Sequence, residues 1–138
     1  MGNEMTKQLN FNPLVLLCKK QTVGTEDADS IALMVLLHFD AAKRGACTNA
    51  GANFLTRHLI SASYIAARTK SKLFHDAVTN AYNALKKASD RPTKDLALAT
   101  SEYQTIRKGL SWYLRALPQV EIGVMSEACR VADKAMSA

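Results

Sequence analysis

The sequence predicts an all-α fold, a compact bundle of five to six helices, on three observations. Apolar residues recur at three- and four-residue spacing through most of the chain, the repeat of a helical face. Alternation of apolar and polar residues never lasts beyond a few positions, and no Asn-Gly or Asp-Gly pair marks a hairpin. Of the 138 residues, 48% are hydrophobic and 22% charged, a globular balance that argues against disorder. No 20–50-residue repeat is visible, so a solenoid is not expected.

The elements follow in order. Residues 1–11 are polar and read as a flexible N-terminus, with a single helical domain over 12–138. Asn12-Pro13 reads as an N-cap followed by proline at the first helical position, which starts a short helix over 14–20. A longer helix covers about 25–44. Glu26, Asp27 and Asp29 sit in its first turn and Lys43 and Arg44 in its last, matching the helix dipole; Gly45 follows as a C′ residue. Between them residues 31–37 are apolar on every side, which predicts that this helix is the buried centre of the fold.

A turn around Cys47 leads to a third helix over 50–69, rich in Ala, Gly and Ser, with a stripe of Leu55, Leu59, Ala62 and Ala66. Small side chains let neighbouring helices approach closely on more than one side. Ser71 caps a fourth helix over 72–88, whose stripe is Phe74, Val78, Ala81, Tyr82 and Leu85 and whose opposite face is polar. The short connection predicts an antiparallel pair. Residues 89–93 break the pattern around Pro92, and 94–99 fit either an extended link or a first helical turn. Thr100 or Ser101 is expected to cap a fifth helix reaching Leu117, with a stripe of Tyr103, Ile106, Leu110, Tyr113, Leu114 and Leu117. Pro118 ends it. A sixth helix, 120–137, carries Val124, Ala128, Val131 and Ala135 on one line.

Charge is concentrated. Eighteen bases against twelve acids give +6, and residues 57–94 hold eight bases and two acids, so the whole excess lies there. Arg68, Lys70, Lys72, Lys86, Lys87, Arg91 and Lys94 are the candidate contacts to nucleic acid or to an acidic partner. The competing reading is a solvated surface. A helix-turn-helix around 41–57 is poorly supported, because its turn is long and Gly51 stands where an apolar residue is wanted.

Motifs that carry chemistry are missing. His38, His58 and His75 fall on separate helices without a His or Cys at i+3 or i+4, so no metal ligand set is expected. There is no Gly-x-Ser-x-Gly elbow, no phosphate-binding glycine loop and no paired-carboxylate dyad. No cofactor and no catalytic residue is assigned. Cys18 and Cys129 read as small core residues, and Cys47, in a turn, as the reactive thiol. Three scattered cysteines do not make a disulfide framework, and no secretory leader is visible, so a reducing cytoplasm is the expected compartment. The Gly2…Thr6 match to a myristoylation signal is too short to weigh. The longest apolar run is too short for a membrane span.

The functional expectation is a non-catalytic helical interaction module that binds a protein partner or associates with itself. Trp112, beside the main stripe of its helix, is either a core residue or an interface anchor. The alternative is a basic nucleic-acid-binding regulatory protein using residues 57–94, a type common among phage and plasmid accessory proteins.

Overall fold

A computed structural model describes residues 21–137; the helix expected over 14–20, the polar N-terminus and Cys18 lie outside the described residues. The fold is an all-α bundle, with five helices among the described residues: α1 (Gly24–Lys43), α2 (Asn49–Arg68), α3 (Lys72–Ser89), α4 (Thr100–Ala116) and α5 (Ile122–Met136), and a 3-10 turn at Leu117–Gln119. No strand occurs among the described residues; two isolated antiparallel bridges, Thr22 with Glu121 and Cys47 with Leu96, tie loops together.

Local chemistry sets the helix ends. After α1, Gly45 takes a left-handed φ of +72°. The Ala46 amide then donates to the Ala41 carbonyl at 2.8 Å and the Gly45 amide to Ala42, a Schellman closure that only glycine enters without strain. The Thr48 hydroxyl accepts from the Gly51 amide and the Ser71 hydroxyl from the Phe74 amide, each at 3.2 Å, fixing the starts of α2 and α3. At α4 the cap differs from expectation. Ala99 is the N-cap, and Glu102 reaches back to accept its amide at 2.9 Å, so neither Thr100 nor Ser101 caps the helix.

The core forms two clusters. One gathers Val35, Phe39 and Ala42 of α1, Leu55 and Leu59 of α2, Ala81 and Leu85 of α3, and Ile106 and Leu110 of α4. The other gathers Ala28, Ala62, Ile65, Phe74, Val78, Tyr113, Leu117 and Ala128. Each of α1 to α4 crosses from one cluster to the other, and successive helices cross in opposite directions: an up-down-up-down bundle. α5 lies antiparallel along α2, since Ser61 bonds the Ala128 carbonyl and Arg57 pairs with Asp133. Its buried line is Ala128 and Ala132, whereas Ala135 is exposed, so the stripe is rotated from the expected one.

The helix at the centre is α2, not α1. α2 buries eight residues, including Gly51, Ala52, Ser61, Ala62 and Ala66, whose small size admits neighbours on several sides. α1 buries only Ala28, Val35, Phe39 and Ala42. Leu33, Met34, Leu36 and Leu37 are 62%, 46%, 50% and 56% exposed. The expectation of a buried helix over 25–44 is therefore corrected. A run that is apolar all round does not say which side meets the core, and α1 packs on α2, the 3-10 turn and α4 along one side only.

Candidate functional site

The exposed side of α1 is the first candidate. Glu26, Leu33 and Asp40 are seven residues apart, as are Ser30, Leu37 and Arg44, so at 3.6 residues per turn they form two adjacent rows along the helix. Met34 and Leu36 flank those rows. The buried residues Val35, Phe39 and Ala42 lie on the opposite side of the cylinder. The result is an apolar centre with Glu26 toward the N-terminal end and Asp40 and Arg44 toward the C-terminal end. Asp40 and Arg44 form an exposed i,i+4 pair at 3.0 Å. A hollow of about 280 Å³ beside Leu36 reaches Tyr103, Arg107 and Leu114 of α4, and one of about 660 Å³ on the other flank reaches Ile122 and Met125 of α5. Free-standing apolar side chains are ordinary; Leu33, Met34, Leu36 and Leu37 form a contiguous exposed row on one helix.

The basic segment divides into two kinds of residue. Lys70, Lys72, Lys86, Lys87 and Lys94 are exposed and make no ion pair among the described residues. Lys86 and Lys87 close α3, while Lys72 opens it and Lys70 lies in the preceding turn, so the two groups sit at opposite ends of that helix. Arg68 is folded over the Tyr64 ring, its guanidinium carbon 5.6 Å from the centroid. Arg91 is committed within the chain. It donates to both carboxylate oxygens of Glu102 at 2.7 and 2.6 Å and to the Ala97 carbonyl at 2.7 Å. Trp112 is half-buried, stacked on Phe74 at 5.8 Å and covered by the Arg115 guanidinium at 4.9 Å, which places it between core and surface.

A third group joins residues that sequence spacing leaves apart. His58 Nδ1 is 2.7 Å from the Tyr113 hydroxyl, and the ring of Phe54 lies 4.6 Å from that of His58 and 4.8 Å from that of His38. Burial, with a smaller effect from the Arg57 charge, lowers the His58 pKa to about 4, so its imidazole is neutral at pH 7. A pocket of about 240 Å³ brings His58, Arg57, Ser61 and Cys129 together. Cys129 is exposed and Cys47 is 1% exposed, which reverses the expected roles of the two thiols. The reason for Cys47 is the extended segment after α3: Leu96 donates its amide to the Cys47 carbonyl at 2.8 Å and closes over the turn. Among the described residues no three His, Cys, Asp or Glu side chains converge in a metal-binding group, and no helix is long and apolar enough to cross a membrane.

Compared with protein-family models, curated proteins and solved structures, the chain gives no match in any of the three.

Proposed function

We propose that the protein is a non-catalytic helical interaction module whose docking surface is the exposed side of α1. The observation that carries this reading is the row of Leu33, Met34, Leu36 and Leu37, each about half exposed, on the side of α1 away from the core. An amphipathic helix laid along such a row buries its own apolar side chains at i, i+3 and i+4 against the leucines. A displayed library of amphipathic helical peptides tests it. Binders to the protein should lose roughly tenfold or more in affinity, about 1.4 kcal/mol or more, for a variant carrying Leu33→Glu and Leu37→Glu. Binders indifferent to that double change, or none at all, count against the surface.

A second reading is nucleic-acid binding through Lys70, Lys72, Lys86, Lys87 and Lys94, supported by their exposure and lack of ion-pair partners among the described residues. Binding to a duplex would then weaken with salt at a log–log slope of roughly −0.9 per phosphate contact. Replacing Lys86 and Lys87 by alanine would flatten that slope. No binding at low salt ends this reading.

A further inference from the structure

We infer that the partner of the α1 face is the same face of a second copy, packed antiparallel about a twofold axis level with Val35; this rests on the reading of α1 as a docking surface. The distribution of residues along the helix carries the inference. With residue 35 at the centre, Leu33 meets the partner's Leu37, and the two flanks each meet their own copy, Met34 beside the partner's Met34 and Leu36 beside the partner's Leu36. Glu26 meets the partner's Arg44 at each end of the rows. The apolar centre is self-complementary, and each charged end faces its opposite. An isologous contact requires this property: one patch must suit itself when turned over.

The alternatives carry a penalty. A parallel pair in register sets Glu26 on Glu26, Asp40 on Asp40 and Arg44 on Arg44. Like charges across an interface select against a pairing mode even when they add little to the favoured one. The helix dipoles of α1 also oppose in the antiparallel arrangement and align in the parallel one. Leucine burial therefore supplies the affinity, and the charged ends supply direction. The end charges are solvent-exposed, as the 66% and 62% exposure of the Arg44 and Asp40 side chains shows, so their energetic contribution is small.

A standard interface takes about 800 Å² from each partner, more than four half-exposed side chains present. The flanking hollow between α1 and α4 extends the contact. It opens beside Leu36 and is walled by Tyr103, Arg107 and Leu114, so a side chain from the partner's helix has apolar surface to enter.

Two measurements test the pairing. Light scattering after gel filtration should give twice the chain mass for the native protein and the single-chain mass for Leu33→Glu/Leu37→Glu. Cross-linking then reads direction. Chains carrying Leu33→Cys and chains carrying Leu37→Cys, both with Cys18→Ser and Cys129→Ser, are mixed and oxidised. The antiparallel pair gives the mixed 33–37 disulfide in excess over 33–33 and 37–37. Both cysteines replace exposed side chains, so the cross-link reads out even where the glutamate variant fails to fold. A native monomer at its highest soluble concentration overturns self-pairing and leaves the docking surface to be judged by the peptide selection. A dimer that survives the glutamate variant, or a preference for 33–33 linkage, overturns the proposed face or its direction.

Discussion

His58 Nδ1 and the Tyr113 hydroxyl, 2.7 Å apart, join α2 to α4 at a point where Tyr113 is wholly buried. Burial raises the Tyr113 phenol and lowers the His58 imidazole to about 4, so both groups stay neutral through the physiological range.

That pair makes the fold acid-sensitive at a defined pH. Unfolded, His58 takes up a proton near pH 6.5; folded, only near pH 4. Between those values the unfolded chain binds more protons, so stability falls as pH drops, and the contribution is whole above pH 6.5. The loss across the window is on the order of 3 kcal/mol. Urea unfolding between pH 7 and 4 should show this slope in the native protein and a flatter one in His58→Gln. A native stability that does not change between pH 7 and 5 contradicts the buried neutral imidazole.

Arg91 and Glu102 are expected to matter for stability out of proportion to their place near the surface. The carboxylate accepts two bonds from the guanidinium and one from the Ala99 amide, so it closes the loop after α3 and caps α4 together. Bonding to the Arg91 guanidinium holds the Glu102 carboxyl below its usual range. Its contribution is complete above the ordinary carboxylate pKa and disappears as pH falls through the lower folded value. Arg91→Ala should cost about 1.5–3 kcal/mol, the range for a hydrogen bond to a charged group. Lys cannot reproduce the two-pronged contact, so Arg91→Lys should recover only part. Lys86→Ala and Lys87→Ala, on solvated positions of the same basic segment, should stay within about 0.5 kcal/mol. Equal effects at Arg91 and Lys87 in chemical denaturation would contradict the distinction.

The features legible in the sequence are those written in local contrast. α3 has a polar side facing an apolar one, and of its expected stripe Phe74, Val78, Ala81 and Leu85 are buried and Tyr82 half-buried. Ser71, by its hydroxyl, and Gly45, by its left-handed backbone, mark helix ends within a few residues. α1 has no such contrast. With Ile31 to Leu37 apolar throughout, its core side is set by where α2 lies, which is a tertiary fact. The thiols reverse for the same reason. Cys47 sits in a turn that an extended segment about fifty residues later covers, and Cys129 sits on a helix whose buried edge is Ala128 and Ala132. At the candidate sites, the exposure of Lys86 and Lys87 follows from amphipathicity. The ties of Arg91 to Glu102 and of His58 to Tyr113 join residues 11 and 55 positions apart, beyond any periodic signal.

Gly109 is expected to be intolerant of the smallest side chain. An alanine in a helix interior usually gains about 0.5–1 kcal/mol over glycine. Here a Cβ would stand 2.8 Å from the Ala77 carbonyl oxygen and against the Ala81 methyl, because α3 and α4 meet backbone to backbone at this point. Gly109→Ala should therefore lose roughly 1–3 kcal/mol as the helices are forced apart. At Gly51 the corresponding neighbours are side-chain atoms of half-buried His38 and buried Cys47, with no backbone atom among them. Gly51→Ala should lose less. A Gly109→Ala protein with a raised melting temperature would show that the two helices do not meet as closely as this.

Cys129 and Cys47 should separate cleanly in native thiol labelling. A thiol reacts as its thiolate and only where reagent reaches it. Cys129 is exposed on α5, whereas Cys47 is 1% exposed, and burial, with a smaller effect from the Asp95 charge, pushes its thiol up. In a Cys18→Ser background, an aromatic disulfide reagent should modify Cys129 at once under native conditions. Cys47 should react only at the rate at which the chain opens, and fully in denaturant. The cover over Cys47 is Leu96, 5% exposed, whose amide bonds the Cys47 carbonyl. Leu96→Ala keeps that backbone bond but removes apolar cover, so it should speed labelling of Cys47 and leave Cys129 unchanged. Equal native rates for the two cysteines would contradict the closure of the 94–99 segment over the α1–α2 turn. A Leu96→Ala variant that labels Cys47 no faster would assign the protection to the surrounding core and not to that segment.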